Sequence, residues 1–277
     1  MPSIRSNPWC HPCPSNCLTM GAHIFFLRAR IQAVMRRCCR ALIFSCVLSV
    51  LTFAQAADPA LAAGLQLLDE ARTTLKADAL DQARDHFLKL TRENPGNAFY
   101  FYELARVDYY RSSSARESKS NKTAASILDQ AIGEAQESLR LDERSAVAHS
   151  LLADLYGSKI GLGVGFMLGA RFGPKVDTEN KRALELDSNN PQVLASLGRQ
   201  YLHAPKMFGG DLDKAIASLQ KSIERDAGAD TRADETYVWL AIAYRKKGDA
   251  AAANKALDEA LRRNPRSVFA LTTKAAK

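Results

Sequence analysis

Apolar positions along most of the chain recur at three- and four-residue spacing, the period of one face of an α-helix. Three short copies stand out: Leu152-Ala153-x2-Tyr156, Leu197-Gly198-x2-Tyr201 and Leu240-Ala241-x2-Tyr244. Each places a Leu and a Tyr one turn apart on the same face, with a small residue between them that lets a second helix come close. A second pattern follows the first. Ala83-x3-Phe87 precedes Pro95, and Ala253-x3-Leu257 with Ala260 precedes Pro265. Gly248-Asp249 lies between the two patterns of the last copy, where glycine suits the left-handed residue that ends a helix. The pattern predicts paired helices, repeated along the chain, and an all-α fold.

These residues resemble the tetratricopeptide repeat, whose first helix carries W-x2-L-G-x2-Y and whose second carries A-x3-F and then Pro. The resemblance spans about 200 residues and implies a right-handed α-solenoid of about five hairpins. The units are placed at 64–97, 98–145, 146–190, 191–233 and 234–267, with a cap at 268–277. The first lacks the Tyr: its helix offers Leu65, Leu68 and Leu75. The equivalents of the closing Pro (Pro95, Glu143, Ser188, Ala227, Pro265) lie 48, 45, 39 and 38 residues apart. The family period is shorter, and extra residues map to loops on one face, often the binding face.

Three inserts account for the difference. Arg111 to Lys122 is polar and serine-rich, and is expected to be a solvated loop. Ile160 to Gly173 is apolar, with Gly161, Gly165, Gly169 and Gly173 four apart, a stripe that another helix can approach closely. It does not match the G-x-G-x-x-G dinucleotide fingerprint. Its apolar residues, Phe166 and Met167 among them, are consistent with a packed connector, a lid over the groove or a membrane-touching tip. The third insert, Ala204 to Asp211, has Pro205 and Gly209-Gly210 for a compact turn and Asp211 as the cap of the next helix. Met207 and Phe208 are expected to pack beneath that turn.

The first 56 residues differ from the rest. They contain all six cysteines and six Arg (5, 28, 30, 36, 37 and 40), with no Lys and no acid. Met35 to Arg40 reads as a positive n-region, Ala41 to Ala54 as an apolar h-region, and Ala54-Gln55-Ala56 as a cleavage site before Ala57. A secretory signal at 35–56 and a periplasmic address are therefore expected, with an uncleaved anchor as the alternative. Residues 1–34 play no part in that logic and are expected to be a non-native or disordered extension. The Cys10-His11-x-Cys13-x3-Cys17 cluster lacks the second ligand pair a structural zinc site wants. Beyond the leader, 32 basic residues face 30 acidic ones. A near-neutral body is a poor partner for nucleic acid, so the net charge of +8 reflects the leader.

No catalytic constellation appears. His86, His149 and His203 fall in different units without ligand spacing, and the body has no thiol and no G-x-S-x-G. Neither an enzyme nor a bound cofactor or metal is expected. The resemblance implies a scaffold that binds a protein or peptide in a concave groove lined by the first helix of each unit. Carried over, the groove residues are Phe99, Tyr102, Arg106 and Tyr109 (with Tyr110), Asp154, Arg199 and His203 (with Gln192), and Arg245 (with Glu235). Aromatics and Arg dominate interface hot spots, and the Arg series would favour a carboxylate-bearing partner. The Gly-rich insert and the P-x-x-F-G-G-D turn also look like those of exported bacterial members, some associated with TRAP-type solute uptake. That implies an alternative: an accessory binding a small hydrophobic solute, with Phe166, Met167 and Phe208 closing the cavity.

Overall fold

The computed structural model describes residues 58–163, 166–226 and 232–276. The leader therefore lies outside the described residues. Within them the regular structure is eleven α-helices and one 3-10 turn. Five hairpins follow in order: α1 (Pro59–Thr74) with α2 (Ala77–Glu93), α3 (Ala98–Glu117) with α4 (Asn121–Leu141), α5 (Ala146–Leu162) with α6 (Phe166–Leu186), α7 (Pro191–His203) with α8 (Leu212–Arg225), and α9 (Ala233–Lys247) with α10 (Ala250–Arg263). A capping helix, α11 (Val268–Ala275), ends the array. The all-α solenoid of about five hairpins expected from the repeats is present.

Local chemistry explains the helix boundaries. Side chains of Asp58, Asn97, Ser145, Asn190, Asp211, Asp249 and Ser267 each accept a hydrogen bond from a backbone N–H of the following first turn. Such caps satisfy donors that the helix itself cannot. Four of the links between hairpins share one construction. The amides of Asn97, Ser145, Asn190 and Ser267 donate to the carbonyls of Asn94, Asp142, Asp187 and Asn264, three residues earlier. Gly248 takes φ +90° at the last hairpin turn, as its sequence position suggests.

Packing follows the repeat. Ala83 and Phe87, Ala215 and Leu219, and Ala253 and Leu257 are fully buried on the second helices, against Leu68, Leu104 and Leu240 on the first. The small residue at the centre of each copy is also buried: Ala153, Gly198 and Ala241. At Gly198 a Cβ would sit 2.6 Å from Leu219 Cγ and 3.3 Å from the Ala215 carbonyl, so α7 and α8 meet at backbone distance. Three apolar clusters result, one over hairpins 1 and 2, one over 2 and 3, and one over 4 and 5 with the cap.

Two inserts are not what the sequence suggests. The serine-rich segment is mostly helix: α3 continues to Glu117 and α4 starts at Asn121, leaving a short turn, and Ser112 is buried. Serines bond backward to helix carbonyls, Ser112 to Tyr109 and Ser118 to Ser114, which lets a polar run stay helical. The glycine-rich insert likewise lengthens α5 and α6. Gly161, Gly169 and Gly173 receive no closely packed helix: a Cβ at Gly169 or Gly173 would meet nothing within 4 Å, and at Gly161 only Arg116 Nη1 at 3.8 Å, whereas at Gly163 it would meet Leu168 Cδ1 at 2.0 Å. Its apolar side is anchored instead by Phe172, buried and stacked on Tyr156 with centroids 5.7 Å apart, and by half-buried Ile160, Leu162 and Leu168.

The array curls until its ends meet. Arg72 on α1 donates to Asp234 on α9 at 3.0 and 3.3 Å, and to Glu235 at 3.4 Å. Asn264 donates to Thr73 Oγ1 and to Asp234, both at 3.0 Å. Arg266 forks onto Glu70 at 2.8 and 3.1 Å. The solenoid is thereby closed into a ring.

Candidate functional site: the closed lumen

The first helices of the hairpins form the inner wall, as the repeat dictates. Their facing side chains surround a cavity of about 50 Å³, lined by Arg106, Tyr109, Asp154, Arg199, Glu235 and Trp239 among others. Each ordered water needs on the order of 10–15 Å³ by this measure, so the space between these side chains suits a few waters, and it is partly open to solvent. Several of the residues expected to line a concave groove are bonded to groups on neighbouring hairpins.

Those bonds come from residues far apart in sequence. Tyr102 donates to Gln192 at 2.7 Å, joining hairpins 2 and 4. Tyr110 donates to Glu235 at 2.9 and 3.2 Å, joining hairpins 2 and 5. Arg199 forks onto Asp154 at 3.1 and 2.5 Å. Arg106 Nη1 donates to both oxygens of Glu103 at 2.8 and 2.7 Å, its guanidinium lies 5.6 Å from the Tyr102 ring centroid, and its buried Nε has no hydrogen-bond partner. The adjacent Tyr109 and Tyr110 divide the work. Tyr110 is buried, whereas Tyr109 is half-buried and lines the cavity, edge to face with it at 5.4 Å.

Electrostatics match this enclosure. Burial opposes the charges of Arg199 and Arg72, but Asp154 and Glu235 respectively hold both above the usual arginine range. Burial pushes the Tyr109 hydroxyl up to about 12 despite nearby Arg199. Burial and Glu235 raise Tyr110 further. These tyrosines are neutral donors at every physiological pH.

The other expected groove residues lie elsewhere. Phe99 is exposed and tilted on Tyr102 with centroids 5.7 Å apart, and it does not line the cavity. His203 retains solvent access on one side and meets Trp239 edge to face at 5.4 Å. Desolvation by its dense surroundings, then Lys246, Arg199 and Arg116, lower it to about 4, so it is neutral at pH 7. Arg245 takes no part in the lumen. It donates to the carbonyls of Thr273 and Ala276 at 2.6 and 2.8 Å and pins the end of α11.

The apolar insert residues do not converge on the cavity. Met167 is 84% and Met207 79% exposed, and Phe208 is also exposed, contrary to the packing expected beneath the turn. Neither Met167 nor Phe208 lines the lumen. Phe166 begins α6, and its side chain lies outside the described residues. The compact turn itself is present: a 3-10 turn over Lys206–Phe208, then Gly209 at φ +89°, then Asp211 capping α8.

The remaining histidines hold the fold. His86 bonds the Ala60 carbonyl at 2.7 Å, and His149 bridges Glu179 at 2.6 Å and the Glu143 carbonyl at 3.1 Å. Among the described residues no cluster of His, Cys, Asp and Glu has metal-binding geometry, and no helix is long and apolar enough to cross a membrane. Sequence reasoning missed Arg72, Thr73, Glu103, Asp234 and Asn264. Asp234 reads locally as an acid in a helix first turn, where it suits the dipole, and only the closed ring reveals its partner.

Comparison with known proteins agrees on the fold. The tetratricopeptide repeat family model matches residues 235–267, the fifth hairpin. A crystal structure of a thermophilic tetratricopeptide protein of Thermus thermophilus covers 80% of this chain and 98% of its own, at 19% identity and a TM-score of 0.58. PilF of Pseudomonas aeruginosa covers 71% of each chain at 18% identity and a TM-score of 0.37. YrrB, described as having an unusual peptide-binding site, covers 68% of this chain and 97% of its own at 20% identity and a TM-score of 0.31. At these identities the likeness is one of fold alone. No curated protein sequence matches the chain.

Proposed function

Starting from a chain that is a tetratricopeptide-repeat protein in fold, we propose that it is an exported, non-enzymatic scaffold that binds a protein or peptide partner through the lumen side of its ring. The observation that carries this is convergence. Aromatic and Arg side chains from hairpins 2 to 5, separated by more than a hundred residues, are gathered on one enclosed surface. Such residues supply most binding energy where proteins meet. The lining offers hydrogen-bond donors and fixed charge pairs. The uptake-accessory alternative gains no support, because the exposed Met167 and Phe208 stand outside the cavity.

Two measurements test this reading. A photo-crosslinking amino acid at Phe99, exposed beside Tyr102 on the first helix of hairpin 2, should give one discrete adduct in cells. The same group at exposed Lys89 on the outer helix α2 should give none. Equal labelling at both positions, or none at either, removes the reading. N-terminal sequencing of the protein released by osmotic shock should begin at Ala57. Retention of the protein in the cytoplasm would contradict export.

A further inference from the structure

The ring has one joint with no chain running through it, the seam between hairpin 1 and hairpin 5. Every other pair of neighbouring hairpins is tied by a link. The seam is held by polar groups: Arg72 on Asp234 and Glu235, Tyr110 on Glu235, Asn264 on Thr73, and Arg266 on Glu70. Among the described residues no apolar cluster crosses it. The cluster of hairpins 1 and 2 and that of hairpins 4 and 5 with the cap share no residue. Contacts of this type are strong in geometry but modest in net free energy, because desolvation offsets much of the Coulomb gain. They are also exchangeable, since another carboxylate can replace the one displaced. Beside the seam lies a solvent-open depression of about 390 Å³, lined by Asp69, Arg72, Thr73, Arg263, Asn264 and Arg266. It gives an incoming carboxylate a route to Arg72, which is otherwise buried.

Donors on the inner face are already taken by acceptors on other hairpins, so a partner that uses them must part the hairpins that hold them. The seam is where that requires no apolar core to part. We propose that Asp234 and Glu235 are a self-ligand: in the resting ring they occupy the Arg72 and Tyr110 donors that an acidic segment of the partner takes when it docks and opens the seam. The inference rests on the partner-binding reading above and adds the chemistry of the partner and the state in which it binds. A partner that captures a minor open state binds with an affinity scaled by the population of that state. Removing the internal competitor raises that population.

The test uses a fluorescein-labelled hexaglutamate peptide as probe, read by fluorescence anisotropy at physiological salt. Asp234→Asn with Glu235→Gln keeps the side-chain shapes and removes both charges. Its affinity for hexaglutamate should exceed that of the unaltered chain by about tenfold or more. Hexaglutamine binding should not change. Asp213→Asn with Asp258→Asn, two exposed acids outside the seam, controls for net charge and should leave hexaglutamate binding unchanged. Equal affinity of the seam variant and the unaltered chain, with native circular dichroism in both, overturns the proposal, as does an equal gain in the surface control. Should the seam variant fail to fold, a locked chain decides. Thr73→Cys and Asn264→Cys, in a chain whose six native cysteines are serine, are bridged with a short bismaleimide. Locking should cut hexaglutamate binding about tenfold or more, and binding that survives locking undiminished overturns the proposal. The Phe99 adduct separates the two readings: if it forms equally in locked and unlocked chains, the scaffold function stands and the self-ligand falls.

Discussion

At the scale of single residues, the least comfortable group is Glu134 on α4. Its side chain is largely buried, and its Oε2 has no hydrogen-bond partner. It faces Asp108, fully buried on α3, which already takes both the Arg84 fork from α2 and Arg111. The hydrogen bonds of Arg84 and Arg111 go to Asp108 and, from Arg111 Nε, to Asp81; Arg84 reaches Glu134 only at 3.6 Å. Burial first, and then the Asp108 charge, raise the Glu134 carboxyl to about 8. Its folded pKa lies above its unfolded value, so the folded state prefers the proton. The group destabilises the fold increasingly as pH rises from about 4.5 to about 8. Glu134→Gln mimics the protonated form. Thermal denaturation should show the variant melting several degrees above its parent at pH 8, with the gap closing near pH 4.5. A gap that widens toward acid would contradict this assignment. Nothing in the sequence marks Glu134: it reads as one more polar residue on a helix face, and its setting comes from three helices meeting.

At the scale of helices, the small-residue position of each repeat makes a sharper prediction than the aromatic ones. Ala153 and Ala241 occupy it in hairpins 3 and 5, whereas hairpin 4 has Gly198, pressed against Leu219 and the Ala215 backbone. Gly198→Ala should therefore lower stability, by about 1–3 kcal/mol as over-packing costs in a close-packed core, despite the better helix propensity of Ala. Urea denaturation measures it, and a neutral or stabilising result would mean that α7 and α8 are less close than described. Helix pairing was legible in the sequence because Leu, Tyr and the small residue repeat at fixed spacing. The inserts were not. The serine run reads as a loop from propensity alone, yet Arg111 to Glu117 simply continues its helix, and the glycine run, compatible in sequence with connector, lid or tip, extends α5 and α6. Hairpins flanked by well-formed neighbours supply tertiary support that overrides weak local preference. Met207 and Phe208 failed for the opposite reason: apolar residues were expected to find cover, and the turn that carries them is too tight to supply it.

At the scale of the whole molecule, the feature invisible in the sequence is closure. Curvature accumulates from small rotations between successive hairpins, and no single motif encodes the sum. Of the expected groove residues, Arg106, Tyr109, Asp154 and Arg199 line one cavity and Tyr102 bonds Gln192 beside it, but the sequence could not show that Asp154 pairs with Arg199 and Tyr102 with Gln192 between hairpins. Closure gives the seam energetic weight. Asp234 is 2% exposed and shared by Arg72 and Asn264. Asp234→Ala removes one of the three carboxylates that meet Arg72 and leaves Asp69 and Glu235 on it, which should cost about 1–3 kcal/mol in denaturant unfolding. A cost within error of zero would show that the ends do not rest on each other in solution.

The most direct test of the ring joins its ends chemically. Glu70→Cys and Arg266→Cys replace a surface ion pair across the seam, in a chain whose six native cysteines are serine. Treated with a short bismaleimide at low protein concentration, a closed ring should bridge almost completely within one molecule, and intact mass should show a single reagent per chain. An open solenoid should instead carry two separate reagents per chain, one on each cysteine, and that result would contradict the account.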